Sequence, residues 1–278
     1  SADGDAPAVA AGLLRPDSVP APALAEVAQV ASEIKALPDF QDAAAPVALI
    51  FDYESAWAWD TQPQGADFEM FRLAFAAYRA LRRAGLTIDI LPPDTANLSA
   101  YKLVLAPGLM TIPDPLRAAL GAYDGIALIG PRTGLKSRDM AIPLPMGPAL
   151  PETDVTVVLT ESLPPSDKIK LQGGGRFRHW FEHLEGTAPV HLSTKDGQPA
   201  IMGGDHLRYL AGWPDDATFD TIVGGLCDAA GVETHQMPDG LRLRDTATMR
   251  FLFNYGPKPV TWNGTTIPAA GVHWEAIS

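Results

Sequence analysis

Val47-Ala48-Leu49-Ile50-Phe51 is a continuous apolar run, and it stops at a polar and aromatic cluster of Asp52, Tyr53, Glu54, Ser55, Trp57 and Trp59. A helical pattern follows through Phe68, Phe71, Leu73, Phe75, Tyr78 and Leu81 and ends at Gly85. Thr87-Ile88-Asp89-Ile90-Leu91 then reads as a second strand. A short apolar strand, a loop, an amphipathic helix and another strand make a βαβ unit. Ligands of such sheets bind outside the carboxyl ends of the strands. The loop at 52–59 is therefore the first place to look for function.

The same rhythm continues downstream. Pro92-Pro93-Asp94 is a turn, residues 102–108 read as a third buried strand, Pro113-Asp114-Pro115 opens a short helix through Leu120, and residues 125–130 read as a fourth strand. Uniform apolar runs separated by helices indicate a parallel sheet covered on both faces. Residues 131–151 are rich in Pro and Gly and read as a long excursion. Another strand is expected at 155–159, and residues 169–181, 191–192 and 200–202 suggest short strands, antiparallel and at an edge. Arg208-Tyr209-Leu210-Ala211 leads into Trp213-Pro214-Asp215-Asp216, then a helix with Phe219, Ile222, Val223, Leu226 and Ala230 on one face and Gly231 just beyond. Asp215 or Asp216 is a suitable N-cap.

Both ends of the chain differ in texture. From Thr234 the pattern alternates, with strands expected at 241–244, 249–255 and 260–262. Asn263-Gly264 is a strong hairpin signal. This tail reads as a small antiparallel β module. At the other end, residues 1–23 are rich in Ala, Pro and Asp and are expected to hold little order. A helical pattern then runs from Leu24 through Val27, Ala31 and Ile34 to Leu37, where Pro38 stops it. Its apolar stripe has no preceding sheet to cover, as for the last helix of something larger.

Composition narrows the class. With 278 residues, 46% of them hydrophobic and 19% charged, the chain is globular and long enough for one large domain or two smaller ones. A net charge of −12 opposes binding to nucleic acid or to an anionic membrane, and no Lys/Arg cluster offsets it. The single Cys227 rules out an internal disulfide framework and a cysteine metal site. No apolar run approaches the ~20 residues of a membrane span. The chain begins at Ser1 without a basic n-region, so the expectation is a shortened piece of a longer protein and not an intact signal peptide.

Few familiar chemistries fit. No Gly-x-x-x-x-Gly-Lys-Ser/Thr is present, and Gly173-Gly174-Gly175 lacks the strand-then-helix context of a phosphate cradle. No dinucleotide fingerprint follows the first strand. An amidotransferase-like hydrolase would place Cys or Ser on a strand-to-helix elbow, whereas the equivalent turn here is Gly130-Pro131-Arg132-Thr133-Gly134. Cys227 lies among apolar neighbours and reads as a buried small hydrophobe in preference to a nucleophile. His179 and His183 are four apart and could share a metal on a helix, but no third ligand stands out and the aromatic segment around them suggests packing. No cofactor or metal is assigned.

The cluster Asp52, Tyr53, Glu54, Trp57 and Trp59 is the sharpest candidate. Its indoles can stack on a sugar face. Asp52 and Glu54, two apart on an extended segment, would point the same way, as a glycosidase carboxylate pair must across a scissile bond. Equally, Glu54 could cap a helix and the indoles could anchor an interface. Interface or structural use is the favoured reading.

These residues also carry a resemblance. Residues 47–58, Val-Ala-Leu-Ile-Phe-Asp-Tyr-Glu-Ser-Ala-Trp-Ala, resemble the opening of the trimerisation domain of family 42 glycoside hydrolases, the bacterial β-galactosidases. Tyr78-Arg79-Ala80-Leu81 through Gly85, then Ile88 to Pro93, are similar to that domain's first helix and second strand. Residues 101–107 are similar to its third strand, and Gly212-Trp213-Pro214-Asp215-Asp216 to its end. Phe251-Leu252-Phe253-Asn254-Tyr255 resembles the small C-terminal β domain. Gly12-Leu13-Leu14-Arg15-Pro16-Asp17 and the helix to Leu37 resemble the end of the catalytic barrel.

The resemblance implies a flavodoxin-like, class I glutamine amidotransferase-like parallel sheet flanked by helices, followed by a small antiparallel β domain. It implies three segments: a barrel remnant and linker at 1–45, an α/β trimerisation domain at 46–233 and a β domain at 234–278. In the family the two catalytic glutamates sit on an N-terminal (β/α)₈ barrel. A barrel takes ~250 residues, and only about 45 precede Val47 here, so no catalytic residue is assigned and the chain alone is expected to be inactive. The expected partners are other copies, in a homotrimer closed by heterologous contacts, the enzyme's own barrel, and a β-galactoside held by the whole enzyme in the cytoplasm. The rival reading is a stand-alone carbohydrate-binding module that uses Trp57 and Trp59.

Overall fold

The computed structural model describes residues 12–37, 43–62, 64–65 and 67–277. They fall into two units, within 1–41 and within 42–278. In the first unit the chain is ordered earlier than its composition predicts. Arg15 N–H donates to Val19 O at 2.8 Å and Ala21 N–H to Leu13 O at 3.0 Å, which closes a turn ahead of helix α1 (Ala23–Ala36). Glu26 in the first turn and Lys35 in the last complement the helix dipole. No residue of α1 is buried, and its stripe of Val27, Val30 and Ile34 is exposed. The expected stop at Pro38 lies outside the described residues.

The second unit opens with strand β1 (Val47–Ile50), helices α2 (Tyr53–Thr61) and α3 (Met70–Arg83), and strand β2 (Ile88–Leu91). Strand β3 (Leu103–Ala106), helix α4 (Asp114–Gly121) and strand β4 (Ile126–Ile129) follow. All four strands run parallel, with Val47 opposite both Ile88 and Leu103, and Leu103 opposite Ile126. Every residue of β1, β3 and β4 is buried, as uniform apolar runs require when helices cover both faces. β2 carries Asp89 among its apolar residues and is half-exposed at the sheet edge.

Residues 130–154 form no helix or strand. The chain then makes β5 (Val155–Ser162), β6 (Ile169–Lys170), β7 (Arg176–Gly186), β8 (Val190–Ser193), β9 (Pro199–Gly203), β10 (Leu207–Leu210) and β11 (Gly212–Pro214). β10 returns to the main sheet parallel to β4, and β9 and β8 add antiparallel strands, giving the order β2-β1-β3-β4-β10-β9-β8. The antiparallel edge expected near 191–192 and 200–202 is present. A second sheet has the order β11-β7-β5, with β6 paired to β7. Here the expectation of short strands needs correction. β7 is 11 residues long and runs on past Phe181, because β5 pairs with its second half, Trp180 to Gly186.

Helix α5 (Asp216–Ala230) begins where its sequence signals. Asp215 caps it, accepting from Thr218 N–H at 3.0 Å. Gly231 ends it at φ 61°, the left-handed conformation that favours glycine. The tail forms β12 (Leu241–Asp245), β13 (Met249–Asn254), β14 (Val260–Trp262), β15 (Thr265–Ile267) and β16 (Val272–Ala276). β13 lies between β12 and β16, and β14 and β15 form a hairpin about Asn263-Gly264. Both turn residues have positive φ, 46° and 82°, as a two-residue hairpin turn requires. Leu241, Leu243, Leu252 and Ile267 give this tail a small core of its own.

Helix α3 is oriented against its expected pattern. Its buried face is Met70, Leu73, Ala74, Ala76, Ala77, Ala80 and Leu81. Phe71 and Phe75, expected inside, are exposed, and Tyr78 is half-buried. Small residues let α3 lie close against α5, to which Arg79–Asp216 and Arg83–Asp220 also join it, and leave no room for phenylalanine on that side. The displaced rings stack on one another outside, Phe71 on Phe75 at 5.9 Å and Phe75 on Tyr78 at 6.2 Å between centroids.

Candidate functional site

The stretch after β1 was expected to be a loop and is helix α2, because Asp52 caps it. With its own backbone extended, Asp52 accepts from Glu54 N–H at 3.1 Å and Ser55 N–H at 2.9 Å, and from the Ser55 hydroxyl at 2.5 Å. Two of the free N–H groups at the helix start are thereby satisfied. Ser55 Oγ in turn accepts from Met110 N–H at 3.0 Å, and Trp59 Nε1 donates to Gly108 O at 3.0 Å. These bonds fasten the inner side of α2 to the segment that follows β3.

The five candidate residues consequently separate. Asp52 is buried and committed to the cap, while Glu54 is exposed in the first turn of the helix, so they do not form the carboxylate pair their spacing suggested. Trp59 is fully buried and stacks on Phe68 at 4.6 Å, which removes it from any outer surface. Tyr53 and Trp57, four apart on the helix and therefore neighbours, remain 69% and 64% exposed with ring centroids 6.5 Å apart. Tyr53 continues through Phe51 to Phe71, with edge contacts at 5.1 and 6.2 Å. An unbroken aromatic surface thus runs from Trp57 on α2 to Tyr78 on α3.

A cavity of about 1180 Å³ opens where the parallel strands end, the place that strand topology predicts for a site. Phe51, Tyr53, Glu54 and Trp57 line one part of it, and the ends of β2 and α4 contribute Ile90, Asp94 and Asp114. Arg117, Lys136 and Arg138 bring positive charge to the same space. The lining can stack an apolar ring and hydrogen-bond around it. Among the described residues no group of three His, Cys, Asp or Glu could hold a metal ion.

The histidines are on a strand, not a helix. Both lie on β7, His179 paired with Asp67 at 3.0 Å and His183 with Glu161. Burial lowers the His179 pKa and Asp67 opposes that. Cys227 is buried on α5, and burial pushes its thiol up to about 11, which suits a packed side chain and not a nucleophile.

One polar centre had no counterpart in the sequence reading. In the turn after β4, Arg132 takes φ 62°, a left-handed conformation uncommon for a residue other than glycine. Its guanidinium lies among Trp59, Phe68 and Trp180, 4.9, 5.4 and 4.9 Å from their ring centroids. Glu182 on β7, fully buried, accepts from Arg132 N–H at 2.9 Å, Trp180 Nε1 at 2.8 Å and Tyr209 OH at 2.8 Å. Burial raises the Glu182 carboxyl to about 7 against these hydrogen bonds and the Arg132 charge. The same burial lowers Arg132 and raises Tyr209. The only sequence signal was a carboxylate inside the aromatic run Trp180-Phe181-Glu182. With Glu182 and Tyr209 fully buried and Arg132 nearly so, this centre braces the two sheets.

No helix of the described residues is long and apolar enough to cross a membrane. The family model described as the beta-galactosidase trimerisation domain matches residues 45–233. The chain is 41% identical over 255 residues to beta-galactosidase BgaA from a Thermus species, covering 90% of this chain and 39% of that protein. It is 33% identical over 264 residues to beta-galactosidase Bga of Halorubrum lacusprofundi, covering 84% of this chain and 37% of the relative. It thus spans about two-fifths of the length of these relatives. The crystal structure of a beta-galactosidase from the psychrophilic Marinomonas ef1 superposes with a TM-score of 0.87 at 32% identity, covering 95% of this chain and 44% of that one. With the matched segment running from the residues just ahead of β1 to the end of α5, the chain belongs to the beta-galactosidase trimerisation domain family.

Proposed function

We propose that this chain is the non-catalytic assembly portion of a β-galactosidase-like retaining glycoside hydrolase, and that it joins copies of the enzyme into a homotrimer. The observation that carries the reading is the inversion of α3, which buries alanines and turns Phe71 and Phe75 outward beside Tyr53 and Trp57. A contiguous exposed aromatic surface of this kind is the mark of a protein contact. The whole enzyme would hydrolyse terminal β-galactosides in the cytoplasm through two carboxylates on a barrel outside this chain. Residues 1–45 would belong with that barrel, 46–233 would form the assembly domain and 234–278 the β domain. The parallel order β2-β1-β3-β4-β10 supports a flavodoxin-like, amidotransferase-like ancestry. Tyr53, Glu54 and Trp57 are the interface residues of this reading.

Light scattering on the purified chain across a concentration series tests it. The expected mass is three times the 29.6 kDa chain. A monomer at every concentration would remove assembly from this portion.

A second reading, a carbohydrate-binding module, is favoured by Trp57 and Tyr53 lining a cavity that also holds carboxylates and bases. Quenching of Trp57 fluorescence by galactose or lactose, absent in Trp57→Phe, would support it.

A further inference from the structure

We infer that the last turn of α3 and the outer face of the C-terminal β module form a site for a phosphate group, free or carried on a sugar, held by Arg82, Arg242 and Arg244. The site does not depend on the assembly reading above.

The register of the module builds one half. β12 and β13 pair without interruption, with Leu241 opposite Asn254, Leu243 opposite Leu252 and Asp245 opposite Arg250. Leu241, Leu243 and Leu252 belong to the module's core, and Arg250 donates to both carboxylate oxygens of Asp245, at 2.8 and 2.7 Å. Alternation then puts Arg242 and Arg244 on the other face, about 7 Å apart along the strand. Phe253 and Phe251 lie opposite them, with Val272 and Trp274 of β16 beyond. The strands place no acid on that face, because Glu275, like Asp245, is in register with Arg250 on the core side.

Helix α3 supplies the other half. His235 N–H donates to Ala84 O at 2.8 Å, which ties the segment leading to β12 to the end of α3, and β12 lies against the helix. Arg82, half-buried, donates from Nη1 to Leu86 O at 2.6 Å, which fixes its guanidinium. Tyr78 lies one turn earlier on the same side of α3, and Tyr255 lies just past β13, 75% exposed. Burial above all lowers the Arg82 pKa, Tyr78 and Tyr255 oppose that, and the charges of Arg242 and Arg244 add to it. No carboxylate is among the groups that act on Arg82.

Such a cluster stands out in this chain. With 33 Asp and Glu against 21 Lys and Arg, acid partners are in excess. The other arginines of α3 have them, Arg72 in Glu69, Arg79 in Asp216 and Arg83 in Asp220. Among the described residues Arg82, Arg242 and Arg244 form no ion pair. Like charges held together repel, and an anion that bridges them turns the repulsion into attraction. A guanidinium fork matches phosphate oxygens, and the exposed ring of Tyr255 offers a face on which a sugar can stack. Arg82 is far from the other two in sequence, so this charge gathers only on folding.

Calorimetric titration of the chain with inorganic phosphate, glucose 6-phosphate and glucose tests the site. Both phosphates should saturate at one per chain at low ionic strength, and glucose should not bind. Arg242→Gln with Arg244→Gln, and separately Arg82→Gln, should weaken phosphate by about 10-fold or more. Arg72→Gln, exposed and paired elsewhere on α3, should leave it unchanged. Unchanged far-UV circular dichroism verifies the fold of each variant. Tighter binding of the sugar phosphate, with the gain lost in Tyr255→Ala, identifies the ester as the ligand, and equal affinities identify the free ion; either result supports the site. Heat that never saturates, as for a diffuse surface that meets an acidic protein, overturns it. So does chloride that competes as well as sulfate at equal ionic strength, or an affinity undiminished in the folded arginine variants.

Discussion

The backbone N–H of Arg132 donates to Oε1 of Glu182 at 2.9 Å, joining the turn after β4 to the middle of β7. The main sheet and the second sheet meet at this bond. It leaves a carboxyl with no exposed surface, whose pKa burial raises from 4.5 to about 7. A raised carboxyl binds its proton more tightly in the folded state than in the unfolded one. Its protonated form therefore favours folding below about pH 4.5. That benefit is lost as pH rises through about 7, and the full difference is on the order of 3 kcal/mol. Glu182→Gln, neutral at every pH, removes this dependence. The difference in Tm between wild type and variant, followed from pH 4.5 to 8 by calorimetry, should shift steadily against the wild type as pH rises. A difference that stays flat over that range would show that Glu182 titrates normally.

Two indoles two residues apart should respond in opposite ways to truncation. Trp59 is fully buried, bonded to Gly108 O and stacked on Phe68, so Trp59→Ala should cost about 3–5 kcal/mol of stability. Trp57 is 64% exposed and touches mainly Tyr53, so Trp57→Ala should cost less than about 0.5 kcal/mol. Urea titrations at a concentration below assembly separate the two. Equal losses would mean that the rings are not divided between core and surface.

Asp52 should behave as a cap and not as a catalytic acid. Asp52→Ala removes the acceptor for two helix N–H groups and the Ser55 hydroxyl, and should lower stability by about 1–2 kcal/mol. Asp52→Asn keeps the side-chain oxygen that accepts at the helix start and should recover most of that loss. If Asn proved as damaging as Ala, charge and not capping would be the function of this carboxyl.

The Cys227 thiol, held near pKa 11 by burial, should stay unreactive toward a thiol-specific disulfide reagent at pH 8 in the folded chain. It should react in step with unfolding when urea is added. Rapid modification of the native chain would place the thiol at an accessible position.

Local signals announced many of the elements. The runs that became β1, β3 and β4 are short, apolar and buried on both faces, a combination that few other structures allow. Asp215 and Gly231 bound α5 because a carboxylate that accepts a helix N–H and a residue free to adopt φ 61° are local requirements. Asn263-Gly264 made its hairpin for the same reason. Asp52 carries an equally local N-cap signal, but the aromatics after it mask a weakly amphipathic helix, so the hydrophobic pattern there predicts a loop.

Sequence by itself determined the strand runs, the caps, the turns and the family to which the segment from β1 to α5 is similar, because each depends on residues close together in the chain. Only the tertiary structure decided which side of α3 is buried. Phe71 and Phe75 lie outside with the arginines and the alanines inside, and that choice depends on how near the helix lies to α5, to which Arg79–Asp216, 137 residues apart, also joins it. The separation of Trp57 from Trp59 followed from Gly108, 49 residues further on. The Arg132–Glu182 centre joined residues 50 apart, and no pattern of period two or 3.6 spans such a distance. The surface that carries the proposed function is therefore a consequence of packing: what the core had no room for was left outside, where another copy can bury it.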